Sequence, residues 1–184
     1  ADGIFLNLSA EGTTTWGFFL KKTLYGVKRL DDYLIRENDQ DAVVIRYGEV
    51  ILNLAEAAVE LSTYGVNDYL AVAQVAFDLL RSIHGGLPAK TMDLEVVRHE
   101  RRIDLMYEGF RYWDLRRWRL AGEVIDGKQA HGTKITKKDD NSYTYEQVSC
   151  DDNINRFFPE RYYLLPIPVD ELQNNPVCEK NAPW

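Results

Sequence analysis

The stretch that decides the fold runs from Glu100 to Trp118 and reads ERRIDLMYEGFRYWDLRRW. Spacings of three and four residues predict a helix with one largely apolar stripe. The stripe is formed by Val96, His99, Ile103, Met106, Phe110 and Trp113. Beside it, Glu100, Asp104 and Glu108 recur at every fourth position, and like charges at that spacing weaken an isolated helix. We therefore expect basic groups, from this segment or from another element, to reach these carboxylates.

Gly109 interrupts this helical pattern. A glycine inside a helix costs roughly 1 kcal/mol relative to alanine, so we expect the backbone to bend or to pack closely there. The charged groups of residues 100–117 are predicted to form a buried or half-buried structural network, in which Arg111 can pair with Glu108 and with Asp114. Catalysis by these acids is disfavoured, because an arginine neighbour lowers the pKa of a carboxyl group and a general acid needs a raised pKa.

The pattern E-R-R-x-x-L-x-x-E-G-x-R-x-x-D-L-x-R-W resembles the signature of the SusD/RagB family of outer-membrane nutrient-binding lipoproteins. The matching residues are Glu100, Arg101, Arg102, Leu105, Glu108, Gly109, Arg111, Asp114, Leu115, Arg117 and Trp118. Two flanking segments also resemble the family, residues 46–57 (RYGEVILNLAEA, with Gly48 where alanine is usual) and residues 162–168 (YYLLPIP). The closing segment of the family is present in an altered form, KNAPW, at residues 180–184.

The resemblance implies a cell-surface lipoprotein of the outer membrane that catalyses no reaction. Such a protein captures glycans, or less often peptides, and hands them to a SusC-like TonB-dependent transporter. The resemblance also implies that residues 1–184 are a single C-terminal SusD-like region, and that the anchor and most of the helical repeats lie in an N-terminal part. Residues 43–119 are then expected to be helical, and residues 120–184 to be loop-rich with a short strand and a closing turn.

The predicted fold class is mainly α, with a tetratricopeptide-like helical hairpin, a third long helix, long loops and a little short β-structure. The hairpin helices are predicted at residues 43–62 and 68–83, the third helix at 92–107, and a shorter helix at 110–119. The second helix is apolar nearly all round, which indicates burial between other layers. We expect it to pack on residues 92–119 and on helices of the absent N-terminal part.

The remaining segments carry weaker signals. Residues 18–24 are predicted to be extended, and residues 122–158 to form a long loop with a hairpin strand at 143–148. A short strand is predicted at residues 161–165, and one helical turn at 169–173.

Composition excludes several classes of function. The chain has 45% hydrophobic and 28% charged residues, which fits a globular protein, and no apolar run approaches the roughly 20 residues that span a bilayer. Its net charge of −7 argues against nucleic acid as a partner.

Titratable residues give no sign of a cofactor. The histidines share no metal-ligand spacing with one another or with the cysteines, so neither a metal nor a cofactor is expected. His99 is predicted to lie in the core. Cys150 and Cys178 are either free thiols or, in an exported protein, a disulfide, and the sequence leaves both options open.

Aromatic residues supply the ligand-binding candidates, because sugar rings stack on exposed aromatic faces. Aromatics on predicted helices are expected in the core: Tyr47, Phe77, Phe110, Trp113 and Trp118. Those in predicted loops are the candidates for a surface role: Trp16, Tyr143, Tyr145, Phe157 and Phe158. No ligand residue is carried over from the family motif, whose members Glu100, Arg101, Glu108, Gly109, Arg111, Asp114 and Trp118 are predicted to be structural.

Two rival functions remain. A helical-repeat scaffold for protein–protein interaction explains the hairpin but not the ordered series of three motifs. Glycoside hydrolysis needs two carboxylates facing a cleft, and nothing in the sequence singles out such a pair.

Overall fold

The structure, a computed structural model, describes residues 43–182 and residue 184. The extended segment predicted at residues 18–24 and the ligand candidate Trp16 lie outside the described residues. The helices are α1 (Tyr47–Thr63), α2 (Leu70–Gly85), α3 (Leu94–Asp104), α4 (Phe110–Arg117), α5 (Ala121–Ile125) and α6 (Val169–Asn174). The strands are β1 (His131–Lys137) and β2 (Tyr143–Ser149), and they form a two-stranded sheet. The prediction of a mainly α fold with a little β-structure is confirmed.

The described residues separate into two compact units, which part between Arg111 and Tyr112. We call residues 43–111 the helical unit, and residues 112–182 with Trp184 the mixed unit. The expectation that residues 1–184 form a single SusD-like region remains a prediction.

The core of the helical unit lies where α1 packs on α2 and α3. Its buried apolar side chains are Ile51, Leu52, Ala55, Val59, Phe77, Leu80, Val97 and Leu105. Within the described residues, α2 buries Ala73, Phe77, Leu80 and Arg81. Its predicted burial between two layers stays a prediction, because one of those layers was expected from helices outside this chain. Its opposite face exposes Val72, Val75, Leu79 and Ile83.

The prediction of an apolar stripe over residues 96–113 is partly wrong. His99, Ile103, Met106 and Trp113 are exposed, whereas the charged residues Glu100 and Arg101 are buried beside Val97. The helix begins at the Asp93 cap, whose carboxylate accepts a hydrogen bond from the Val96 N–H.

The break between α3 and α4 comes earlier than predicted. Helix α3 ends at Asp104, and the next residues turn the chain through positive φ at Tyr107 (66°) and Gly109 (82°). The predicted interruption at Gly109 is confirmed, since this conformation strains any residue other than glycine. Tyr107, two positions earlier, adopts the same left-handed conformation although it has a side chain.

The mixed unit combines short helices with a β-hairpin. Strands β1 and β2 are antiparallel, with His131 opposite Ser149 and Lys137 opposite Tyr143. In the connecting turn, the Ser142 hydroxyl and N–H donate to the Asp140 carboxylate and lower its pKa. The predicted strand at 143–148 is confirmed, but its partner β1 and the helix α5 fall in the segment predicted to be loop.

The predicted strand at residues 161–165 is wrong, because Glu160–Tyr163 form a turn of 3-10 helix. Its aromatic side chains pack on a small core of Leu115, Ala121 and Phe158, and this contact sets the local backbone. The predicted helical turn at 169–173 is confirmed as α6. Cys150 and Cys178 do not form a disulfide.

Two features are absent from the described residues. None of their helices is long and apolar enough to cross a membrane. Within the same residues, no group of three or more His, Cys, Asp or Glu side chains is placed to hold a metal ion.

Candidate functional site

The mixed unit contains an open groove of about 600 Å³ that is rich in arginine and aromatic side chains. It is lined by Trp113, Arg116, Arg117, Arg119, Tyr163, Leu164 and Leu165, and we call it the arginine groove. One wall comes from α4 and the residues that follow it. The other comes from the end of the 3-10 turn and the two leucines after it. A volume of this size falls within the range of small-molecule sites, roughly 300–1,000 Å³.

The end of α4 places Arg119 in the groove. The Leu120 N–H donates to the Leu115 carbonyl (2.9 Å), and the Arg119 N–H donates to the Arg116 carbonyl (3.1 Å). These two bonds, with Leu120 packed on the cluster that contains Leu115, are the Schellman arrangement that closes a helix. That arrangement requires a left-handed residue, normally glycine, and here Arg119 takes it with φ of 59°.

Arg116 is the most buried charged residue of the groove, with 9% of its surface exposed. Its guanidinium lies 5.0 Å from the Trp113 ring centre and 5.4 Å from that of Tyr112. Its Nη2 donates to the Tyr163 carbonyl at 2.8 Å. Its Nε and Nη1 are buried and have no hydrogen-bond partner in the part of the chain that the structure describes. The side chain is therefore fixed by stacking and one bond, with two donors left over.

The other two arginines differ in their partners. Arg117 is tied to the buried Asp114 carboxylate at 2.9 Å and lies over the Trp118 ring. Arg119 lies 4.7 Å from the Tyr163 ring centre and faces Glu160 at 3.6 Å, in an ion pair whose two side chains are both largely exposed. Such a pair contributes little to the free energy of unfolding, because water and salt screen the interaction between its charges.

The leucine wall is held by the C-terminal residues. The Trp184 indole N–H donates to the Leu164 carbonyl at 3.0 Å, and the Asn181 side-chain amide donates to the Leu165 carbonyl at 2.8 Å. Trp184 also stacks on Tyr162 with nearly parallel rings. Asn181 and Trp184 of the altered closing segment therefore position one side of the arginine groove.

The Tyr163 ring is fixed from two sides. Its hydroxyl accepts a hydrogen bond from the Gly122 N–H at 2.8 Å, and its ring meets Phe158 edge to face at 5.0 Å. A ring held in this way provides a rigid floor for the groove.

The helical unit uses its arginines in a charge network instead. Arg46 donates to Glu108 at 2.7 Å and to Asp104 at 2.6 Å. Burial opposes its charge, but the hydrogen bonds to these two carboxylates outweigh that cost and raise the pKa of Arg46. Asp104 also meets His84 at 2.7 Å. Buried Arg81 is paired with Glu100.

The motif residues predicted to be structural lie mostly inside the two units. Glu100, Arg101 and Asp114 are buried, and Glu108, Arg111 and Trp118 are half-buried. Arg101 donates to the Asn53 side chain at 2.6 Å and lies over the Phe110 ring. The acids at 104 and 108 receive their bases from Arg46 and His84, which come from other elements. The sequence left open whether these bases come from the same segment or from another element, and these two come from other elements.

The aromatic candidates separate into two groups. Tyr143, Tyr145 and Phe157 are exposed, whereas Phe158 is only 4% exposed and belongs to the core of the mixed unit. Phe158 is therefore corrected from a surface candidate to a core residue, because three aromatic rings surround it. The predicted burial is confirmed for Phe77 and wrong for Tyr47 and for Trp113, which is 54% exposed.

Sequence reasoning missed the arginine groove. Trp113 was expected in the core, and Tyr163, Leu164 and Leu165 were expected in a strand. The available signal was the basic cluster at residues 116–119, which interrupts an otherwise acidic chain.

Comparison with known proteins fixes the family. The family model described as the SusD family matches residues 7–184 of the chain. The chain therefore belongs to the SusD family, as the three sequence motifs predicted.

A solved structure named BT4246 is similar, with a TM-score of 0.60 and 22% sequence identity over 79% of this chain. The match covers 24% of BT4246, so the chain spans about a quarter of that protein's length. At this identity the likeness supports the fold alone. A search of curated proteins found no match.

Proposed function

We propose that this chain is part of a surface nutrient-binding protein that captures glycans for uptake. The observation that carries the proposal is the SusD family match over residues 7–184. The arginine groove and the exposed rings of Tyr145 and Phe157 supply the kind of aromatic surface on which sugars stack. The protein would bind its ligand and leave it unchanged.

The proposal includes a place and a partner. The protein would be held at the outer-membrane surface as a lipoprotein, and it would pass its ligand to a SusC-like TonB-dependent transporter. Peptides are the less favoured ligand. Family membership is the support for both points.

The exposed apolar face of α2 is proposed to pack on the rest of the same protein. Val72, Val75, Leu79 and Ile83 all lie on this face, and so large an apolar surface usually marks an interface. BT4246 has about three quarters of its length outside the match, and the tetratricopeptide-like pairing of α1 and α2 suits further helical repeats stacked beside it. The same face is what favours the alternative function, a scaffold for another protein.

The decisive experiment uses the full-length protein and a panel of neutral and acidic polysaccharides in affinity electrophoresis. Retardation by at least one glycan, without release of reducing ends, is the expected result. Co-purification with an outer-membrane transporter from the native cell would support the partner. If no polysaccharide slows the protein and a soluble protein is captured through α2 instead, the scaffold function replaces the proposed one.

A further inference from the structure

We infer that the arginine groove binds a carboxylated sugar unit, that is, a uronic acid residue of an acidic glycan. The carboxylate would be held between Arg116 and Arg119, and the sugar ring would lie against Trp113. This inference rests on the proposed function and names the class of glycan.

The unpaired donors of Arg116 carry the argument. A buried charged group normally has its hydrogen bonds satisfied, and leaving donors unpaired costs free energy. Here two of the three guanidinium nitrogens, Nε and Nη1, have no partner among residues 43–182 and 184. The planar fork of a guanidinium matches a carboxylate, which accepts two parallel hydrogen bonds from it. A ligand carboxylate would therefore accept the hydrogen bonds that Nε and Nη1 of Arg116 do not make to the described residues.

Arg119 adds a second, accessible charge at the same groove. Its ion pair with the exposed Glu160, at 3.6 Å, is a loose contact. A ligand carboxylate can displace such a contact at little cost. Arg117 is engaged by the buried Asp114. Two of the three arginines are thus placed to receive an anion.

The apolar part of the groove favours a sugar over a bare anion. The Trp113 ring is about half exposed, and Leu164 and Leu165 offer exposed apolar surface on the other wall. The C–H face of a pyranose ring stacks on an indole, while its ring substituents reach polar groups at the edge. A uronic acid combines that apolar face with a carboxylate on one unit.

Binding has a structural consequence at Trp113. The free donors of Arg116 are shielded from water, and the Trp113 ring lies 5.0 Å from the guanidinium. A carboxylate can reach these donors only if neighbouring side chains move, and the half-exposed Trp113 ring, which lies against the guanidinium, is placed to move with them. Binding of the carboxylate should therefore change the fluorescence of Trp113, and the Trp113→Phe variant should lose that part of the signal.

The test uses full-length protein, calorimetry at low salt, and a tetramer of galacturonic acid. The comparison ligand is the same tetramer with its carboxylates methyl-esterified, which keeps the rings and removes the charge. We expect the acidic tetramer to bind more tightly by roughly 10- to 100-fold, the effect of a hydrogen bond to a charged group. Glucuronate and mannuronate oligomers extend the probe to other uronic acids.

Three variants locate the site. Arg116→Gln should weaken binding of the acidic tetramer by at least about tenfold and Arg119→Gln by a smaller factor, and each should affect binding of the ester much less. Arg156→Gln is the matched control, because Arg156 is an exposed arginine of the mixed unit outside the groove lining. If Arg116→Gln does not fold, Arg119→Gln against Arg156→Gln decides the question, since both side chains are at the surface.

Several outcomes overturn the inference. Equal affinity for acid and ester, or equal effects of Arg119→Gln and Arg156→Gln, would remove the carboxylate from the site. Binding of neutral glycans with none of the uronate oligomers bound would leave the proposed function standing and defeat the inference alone. Binding of a hexaglutamate peptide through Arg116, with no uronate bound, would replace the sugar by an acidic protein segment.

Discussion

Two arginines of the helical unit and two of the mixed unit differ in what holds them. In the helical unit, Arg46 and Arg81 are held by carboxylates. In the mixed unit, Arg116 and Arg161 lie over aromatic rings. A carboxylate occupies the in-plane N–H donors of a guanidinium, whereas a ring meets its face and leaves those donors open. The first arrangement stabilises a fold, and the second keeps a charge available for a ligand.

The largest expected effect comes from breaking a buried arginine–carboxylate pair of the helical unit. Arg81→Met should destabilise the protein by about 3–5 kcal/mol, because it leaves the buried Glu100 carboxylate without its partner. The double variant Arg81→Met/Glu100→Leu should recover most of that loss, since it removes both charges. Chemical denaturation of the full-length protein measures both values.

The matched control for this experiment is Arg119→Gln, which should change the unfolding free energy by no more than about 0.5 kcal/mol because it alters an exposed pair. A loss as large at Arg119 as at Arg81 would contradict the distinction between structural and available arginines.

The sequence predicted the helical unit better than the mixed unit, for a physical reason. Helix spacing and the motif at Arg46 to Ala57 are local signals, and they located α1, α2 and α3 to within a few residues. The hairpin and the 3-10 turn depend on contacts between distant residues, such as His131 with Ser149. No local pattern contains that information.

The same limit explains the errors in burial. A position on a predicted helix indicated a buried Trp113, and a position in a predicted loop indicated an exposed Phe158. The structure reverses both. Phe158 is surrounded by the rings of Tyr112, Tyr162 and Tyr163, which are brought together only by the fold. Arg116 is buried for the same reason, and its unpaired donors cannot be read from the motif.

The second prediction compares two adjacent phenylalanines in the mixed unit. Phe158→Ala should cost about 3–5 kcal/mol, because it empties the centre of a small aromatic core. Phe157→Ala should cost less than about 1 kcal/mol, since Phe157 is 68% exposed and has one edge-to-face contact in the described chain.

Thermal unfolding and glycan binding should be measured on both phenylalanine variants. A Phe157 variant that loses glycan affinity while it keeps its melting temperature would make that residue part of the binding surface. Equal destabilisation of the two would show that the core of the mixed unit extends to Phe157.

The smallest expected effect concerns the ends of α1 and α4. Both helices close with a residue at positive φ, Gly65 at 85° in α1 and Arg119 at 59° in α4. A side chain in this conformation destabilises the fold by about 1–2 kcal/mol. Glycine avoids that strain but loses more backbone freedom on folding, which costs roughly 0.5–1 kcal/mol. Gly65→Ala should therefore destabilise the protein by about 1 kcal/mol, and Arg119→Gly should stabilise it by about 0.5 kcal/mol.

If Arg119 is retained for its charge, the stabilising change should also weaken binding of the galacturonate tetramer. Arg119→Lys separates the two effects, because it keeps a positive charge and the strained backbone. It should leave stability unchanged and preserve part of the affinity that Arg119→Gly loses. Denaturation curves and calorimetry on the same preparations provide both quantities. A stabilised Arg119→Gly protein with unaltered affinity for the acidic tetramer would mean that the strain at this helix end has no part in ligand binding.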